Sequence, residues 1–138
     1  MSKYSRDKGK RGEREVIHIL QPIINKVCDY NNIERIILQR NTLQSDRGGY
    51  DIVGLDDFAI EVKRVEKLYV KRWWEQAQRQ AKGSQIPVLF YRQSRKPWTV
   101  KTQLIDNYGN MEEKEMTLEQ FLEVFENYLK NVLTKDKF

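Results

Sequence analysis

DIVGLDDFAIEVKR, residues 51–64, decides the reading of this chain. Short apolar runs at 51–54 and 58–64 flank Leu55-Asp56-Asp57, which predicts two antiparallel strands around a tight turn. Side chains alternate along a strand, so Glu61 and Lys63 share one face while Ile60 and Val62 point to the core. A three-residue turn puts Gly54 opposite Phe58 and Asp51 opposite Glu61, with Asp57 as the candidate for a left-handed backbone. A two-residue turn would place Asp51 opposite Val62 and flip its carboxylate to the wrong face.

Outward from this hairpin, a helix is expected over 12–27, a strand over 36–40, and a polar glycine-bearing loop over 41–50. Beyond it come a helix over 70–82 closed by Gly83, strands over 87–92 and 98–105, and a last helix over 117–133. That last helix opens with Thr117 and Gln120 in a capping box, and Leu118, Phe121, Leu122, Phe125, Leu129, Val132 and Leu133 form its apolar stripe. The order predicts an α/β or α+β sheet flanked by helices. At 138 residues the chain is read as one domain, 1–138, with 1–11 as a flexible basic arm.

Composition narrows the chemistry. No apolar run approaches the roughly 20 residues that span a bilayer. Neither an apolar stretch nor a small-residue cleavage site follows the basic start, so a secretory signal is not expected and the cytoplasm is (the host's, if the chain is phage-encoded). The single cysteine, Cys28, and the single histidine, His18, exclude a Cys/His metal cluster, so a bound metal must be held by oxygen. Net charge is +5 and unevenly placed. Lys3, Arg6, Lys8, Lys10, Arg11 and Arg14 crowd the first residues, and Lys63, Arg64, Lys67, Lys71, Arg72, Arg79 and Lys82 follow the hairpin. Acid gathers in 112–126. Such asymmetry is expected of a face that binds a polyanion, although an unevenly charged solvated surface would read the same.

A glutamate and a lysine in an otherwise apolar strand are a poor choice for packing, because burial penalises both charges unless something pairs with them. A divalent cation between Asp51 and Glu61 would supply that pairing, and Mg²⁺ commonly takes one or two protein carboxylates. Lys63 would then stand near the attacked phosphate, where it can orient water and offset developing charge. Two carboxylates and a lysine suit phosphodiester hydrolysis without a histidine. A surface hairpin carrying a Glu–Lys pair is the plainer alternative. In the first helix Val16, Ile17, Leu20, Ile23, Ile24 and Val27 share one face with Glu13, while Arg14 and Glu15 point away. Glu13 is therefore either a third carboxylate aimed at the metal or a favourable charge near a helix N-terminus. Pro22 would kink this helix.

KGKRGEREVIHIL, Arg40, YDIVG and AIEVKR, in that order, resemble the archaeal-type Holliday-junction resolvases of the PD-(D/E)XK nuclease superfamily. The similarity covers about the first two-thirds of the chain. It implies a restriction-endonuclease-like core with a central mixed sheet flanked by helices. It also implies a homodimer, dependence on Mg²⁺ with Mn²⁺ as a substitute, and cleavage of branched double-stranded DNA at four-way junctions. Carried onto this chain, the catalytic residues are Glu13, Asp51, Glu61 and Lys63, with Glu13, Asp51 and Glu61 as metal ligands. No membrane contact and no organic cofactor belong to this reading. The loop QSDRGGYD is more charged than in those resolvases, and the helix WWEQAQRQA resembles other branches, in which a glutamine faces the active site. Gln76 or Gln80 fits that role, or both are ordinary surface glutamines. These departures bear on the exact DNA substrate more than on the chemistry, and the small size and compact basic design suggest a phage-type resolvase.

Lys8, Lys10, Arg11, Arg14, Arg40 and Arg47 are the expected DNA contacts, and Gly48-Gly49 would let their loop approach a phosphodiester closely. Trp73, Trp74 and Trp98 are candidates for stacking on unpaired bases, with core or interface the better account of at least two. Trp73, Trp74, Tyr91, Trp98 and the Phe121/Phe125 stripe are the apolar surface expected to join two copies.

Overall fold

The computed structural model describes residues 3–43, 49–105 and 108–133. Among these residues six strands form one mixed sheet in chain order: β1 (Gln39–Arg40), β2 (Ile52–Val53), β3 (Phe58–Arg64), β4 (Ile86–Arg92), β5 (Thr99–Ile105) and β6 (Met111–Thr117). Only β3 and β4 run parallel, and helix α2 (Val70–Gln80) connects them. Helices α1 (Lys3–Tyr30) and α3 (Leu118–Val132) cover the opposite face. Alternation along the central strands feeds both layers. Phe58, Ile60, Val62, Val88 and Phe90 enter the core beneath α1 and α3. Leu89 and Tyr91 point the other way and pack against Trp73, Trp74 and Ala77 of α2.

The hairpin has the three-residue turn. Ile52 pairs with Ile60, so counting outward sets Gly54 opposite Phe58, and the Phe58 N–H donates to the Leu55 carbonyl at 3.1 Å. The unusual backbone falls on Gly54, at φ 132°, and not on Asp57. The reason is space as well as torsion. A Cβ on Gly54 would lie 2.8 Å from the Ile37 carbonyl oxygen, where the chain passes on its way into β1.

Three expectations need correction. Residues 3–11, read as an arm, are the opening turns of α1, held down because Lys8 is buried in an ion pair with Glu66. At its other end α1 runs on to Tyr30, with Pro22 inside it on the exposed side. The strand before the loop shrinks to Gln39–Arg40. β6 is an additional strand with no apolar alternation. Its sequence, MEEKEMT, is exposed except at Met116, and seven backbone pairs to β5 hold it at the sheet edge. Charged side chains suit that position, since they discourage a further strand from adding. α3 and its Thr117/Gln120 capping box form as read.

The aromatic residues expected to form a subunit surface are core instead. Trp73, Trp74, Tyr91, Trp98, Phe121 and Phe125 are each at most 8% exposed.

Gly54 offers a direct test of the turn. Gly54→Ala combines an unfavourable torsion with a close approach to backbone, so unfolding free energy should fall by about 1–3 kcal/mol. Urea denaturation of the purified proteins measures this, and an unshifted midpoint would show that the passing 37–38 segment yields freely.

Candidate active site

β3 brings the acidic and basic groups together. Glu61 lies in the middle of the sheet at 1% exposure, and its Oε1 has no hydrogen-bond partner. Asp51 precedes β2 and is half-buried. Its Oδ2 accepts the Val62 N–H at 2.8 Å, which fixes the carboxylate against β3 beside Glu61. Burial pushes the Glu61 carboxyl up to about 9, helped by the Asp51 charge, a hydrogen bond between the two carboxyls and the Glu13 charge, against the opposing pull of Lys63. Without metal, the Asp51–Glu61 pair therefore holds a proton at neutral pH, carried on Glu61.

Glu13 arrives from the other layer. α1 crosses β3 so closely at Gly12 that an added Cβ would lie 3.0 Å from the Cβ of Arg64. The next residue reaches past the strand, and Glu13 Oε1 accepts from Arg40 Nε at 2.8 Å. A cleft of about 300 Å³ results, with Glu13, Asp51 and Lys63 in its wall alongside Arg6, Lys10 and Arg40. All four catalytic candidates thus meet at one place, Glu61 behind the cleft wall and the other three on it.

The cations divide differently from expectation. Lys10 lines the cleft, and Arg40 lines it while tied to Glu13. Arg11 and Arg14 are exposed on a neighbouring groove of α1, beside Glu15 and His18. Lys8 is unavailable to a phosphate, because it is buried against Glu66. Arg47 lies outside the described residues. Arg6 belongs in the cleft and was not singled out. Its signal was the spacing Arg6, Lys10, Glu13, one helical face once the helix is extended backwards. Glu15 does not point into solvent. It accepts from Arg64 and Arg92, each at 2.8 Å, and joins α1 to β3 and β4.

Neither Gln76 nor Gln80 lines the cleft. Gln80 packs against Gly49 so tightly that a Cβ there would meet its Nε2 at 2.4 Å. It therefore supports the chain that leads into Asp51. The three tryptophans are buried and present no face for stacking.

Among the described residues no three His, Cys, Asp or Glu side chains form a ready-made metal cage. Glu13 is turned to Arg40 through one of its oxygens. The remaining donors nevertheless fit a hard divalent cation. Two adjacent carboxylates, one with a buried oxygen lacking any partner, match an ion that completes its shell with water and substrate oxygens.

The family described as "Phage putative PDDEXK endonuclease" matches residues 4–135. No curated protein and no solved structure matches the chain. No helix among the described residues is long and apolar enough to cross a membrane.

The buried carboxyl has a consequence for stability. Its pKa is higher in the folded chain than the ordinary 4.5, so the folded state binds the extra proton. This contribution is complete below about pH 4.5 and is lost as pH rises towards 9. In EDTA, the Glu61-dependent part of the melting temperature should decline across that window, and Glu61→Gln should flatten the decline. Equal slopes for the two proteins would show that Glu61 is ionised when folded.

Proposed function

The chain belongs to this phage PD-(D/E)XK endonuclease family, and from that premise we propose that it is a metal-dependent, structure-selective DNA endonuclease that resolves four-way junctions. The observation that carries the nuclease reading is the meeting of Glu13, Asp51 and Lys63 in one cation-lined cleft, with the buried Glu61 carboxyl, its Oε1 without a hydrogen-bond partner, directly behind. Asp51 and Glu61 would hold Mg²⁺, or Mn²⁺ in its place. The ion would supply Lewis-acid activation of water and charge neutralisation at phosphorus.

The chain's own residues do the rest. Arg6 and Lys10 flank the cleft and draw a phosphodiester backbone along it. Lys63 donates to a non-bridging oxygen and opposes the charge that builds there. Arg40 holds Glu13 in register with the pair, so the third carboxylate is oriented rather than free. Val62 performs the same service for Asp51 through its backbone N–H.

The junction preference rests on the sequence resemblance to archaeal-type resolvases. Resolution needs two cuts in strands of like polarity, and each chain offers one such cluster, so two copies related by a two-fold axis are proposed to act together. Their interface must use surface other than the buried tryptophans.

Purified protein with Mg²⁺ should cut a synthetic immobile junction and leave linear duplex of the same sequence intact. Light scattering should report twice the mass of one chain. Asp51→Asn, Glu61→Gln and Lys63→Ala should each reduce cleavage at least about 100-fold while junction binding in EDTA stays near wild type, since many phosphate contacts share the affinity. Cleavage of nicked, flapped or linear DNA in preference to the junction would favour another endonuclease activity of the same site. Near-normal cleavage by Lys63→Ala would sink the site assignment itself.

A further inference from the structure

With the tryptophans buried, the turn between β3 and α2 contains an exposed aromatic of a different kind. Tyr69 is 40% exposed. The Arg72 guanidinium lies 4.9 Å from its ring centre and the Lys67 ammonium 5.3 Å. Trp73 meets the ring edge-on at 6.3 Å and supports it from the protein side. Lys71 and Leu68 are exposed beside it. The acid in this turn, Glu66, is already paired with Lys8, and Glu75 is the only other carboxylate among residues 66–75.

The turn is also held firmly to the catalytic side of the molecule. Glu66 receives Lys8 from α1 and the Ser94 N–H, and Gln93 Nε2 donates to the Glu66 carbonyl at 2.7 Å. Val65 still lines the cleft. Four residues of chain separate it from Tyr69, at most about 14 Å, or roughly four nucleotides of stacked strand.

We infer that Tyr69, with Lys67, Lys71 and Arg72, is a stacking site for an unpaired nucleobase a few nucleotides from the cleavage cleft. A solvated lysine over an exposed ring is held weakly, and stacking of a base on an aromatic face is the stronger interaction. The base takes the ring face that Lys67 leaves, and Lys67 and Lys71 turn to the flanking phosphates. Arg72 is planar and weakly hydrated, so it stays against the ring. The site thereby favours DNA in which a base has lost its stacking neighbour, as at a fork or branch, over continuous duplex. It rests on the nuclease reading only for the choice of DNA as ligand.

The test compares a forked DNA with blunt duplex of the same sequence, in EDTA, by fluorescence anisotropy and with 2-aminopurine in the unpaired arm. Wild-type protein should quench the probe on binding. Tyr69→Leu, which keeps bulk but has no π-face, should weaken fork binding about tenfold and leave blunt duplex unchanged. Tyr69→Phe should match wild type in both. An unquenched probe in the bound wild-type complex, which requires no substitution, overturns the site. So does an equal loss for fork and blunt DNA, or fork binding unaffected by Tyr69→Leu. A wild-type protein that quenches the probe but cuts no DNA would sustain this site while removing the nuclease reading.

Discussion

The close crossing of α1 over β3 at Gly12 organises most of what this molecule does. With only hydrogen on that Cα, the helix settles so close to β3 that an added Cβ would crowd the Arg64 Cβ at 3.0 Å and touch Val62 and Trp98. Three α1 residues make ion pairs around that approach. One turn before the crossing, Lys8 reaches Glu66. Immediately after it, Glu13 reaches Arg40 at the cleft, and Glu15 reaches Arg64 and Arg92. A helix lifted by one methyl group would loosen all three, so the glycine acts on the site without touching it.

The site itself runs against stability. A carboxyl at the centre of a sheet, beside a second carboxylate and near a third, is costly to ionise, and the folded chain answers by keeping a proton on Glu61. Lys63 offsets part of the charge. A cation bound there would take the place of that proton and offset the adjacent carboxylate charges that the bare fold avoids by staying protonated. The surrounding fold supplies the compensation through two apolar layers, one on each side of the same central strands.

Cation placement shows a division of labour that charge counting hides. Of the basic residues crowded into the first turns, Arg6 and Lys10 face the cleft, Arg11 and Arg14 a separate groove, and Lys8 the interior. Arg64 and Arg92, two strands' worth of positive charge, are occupied by one glutamate. The positive surface is therefore more directional than a net charge of +5 suggests.

Local periodicity was enough for the sequence to determine the hairpin and its face. Alternation put Glu61 and Lys63 together, the turn length set Asp51 beside them, and the stripe and capping box specified α3, because each depends on neighbours a few residues away. Tertiary structure alone decided the rest. Lys8 finds Glu66 58 residues away, and Glu15 finds Arg92 77 residues away, separations that no periodicity encodes. The same holds for the tryptophans, which could be core or surface until α2 and the sheet closed over them. β6 has no apolar pattern at all, and becomes a strand because the backbone of β5 offers it an edge to pair with.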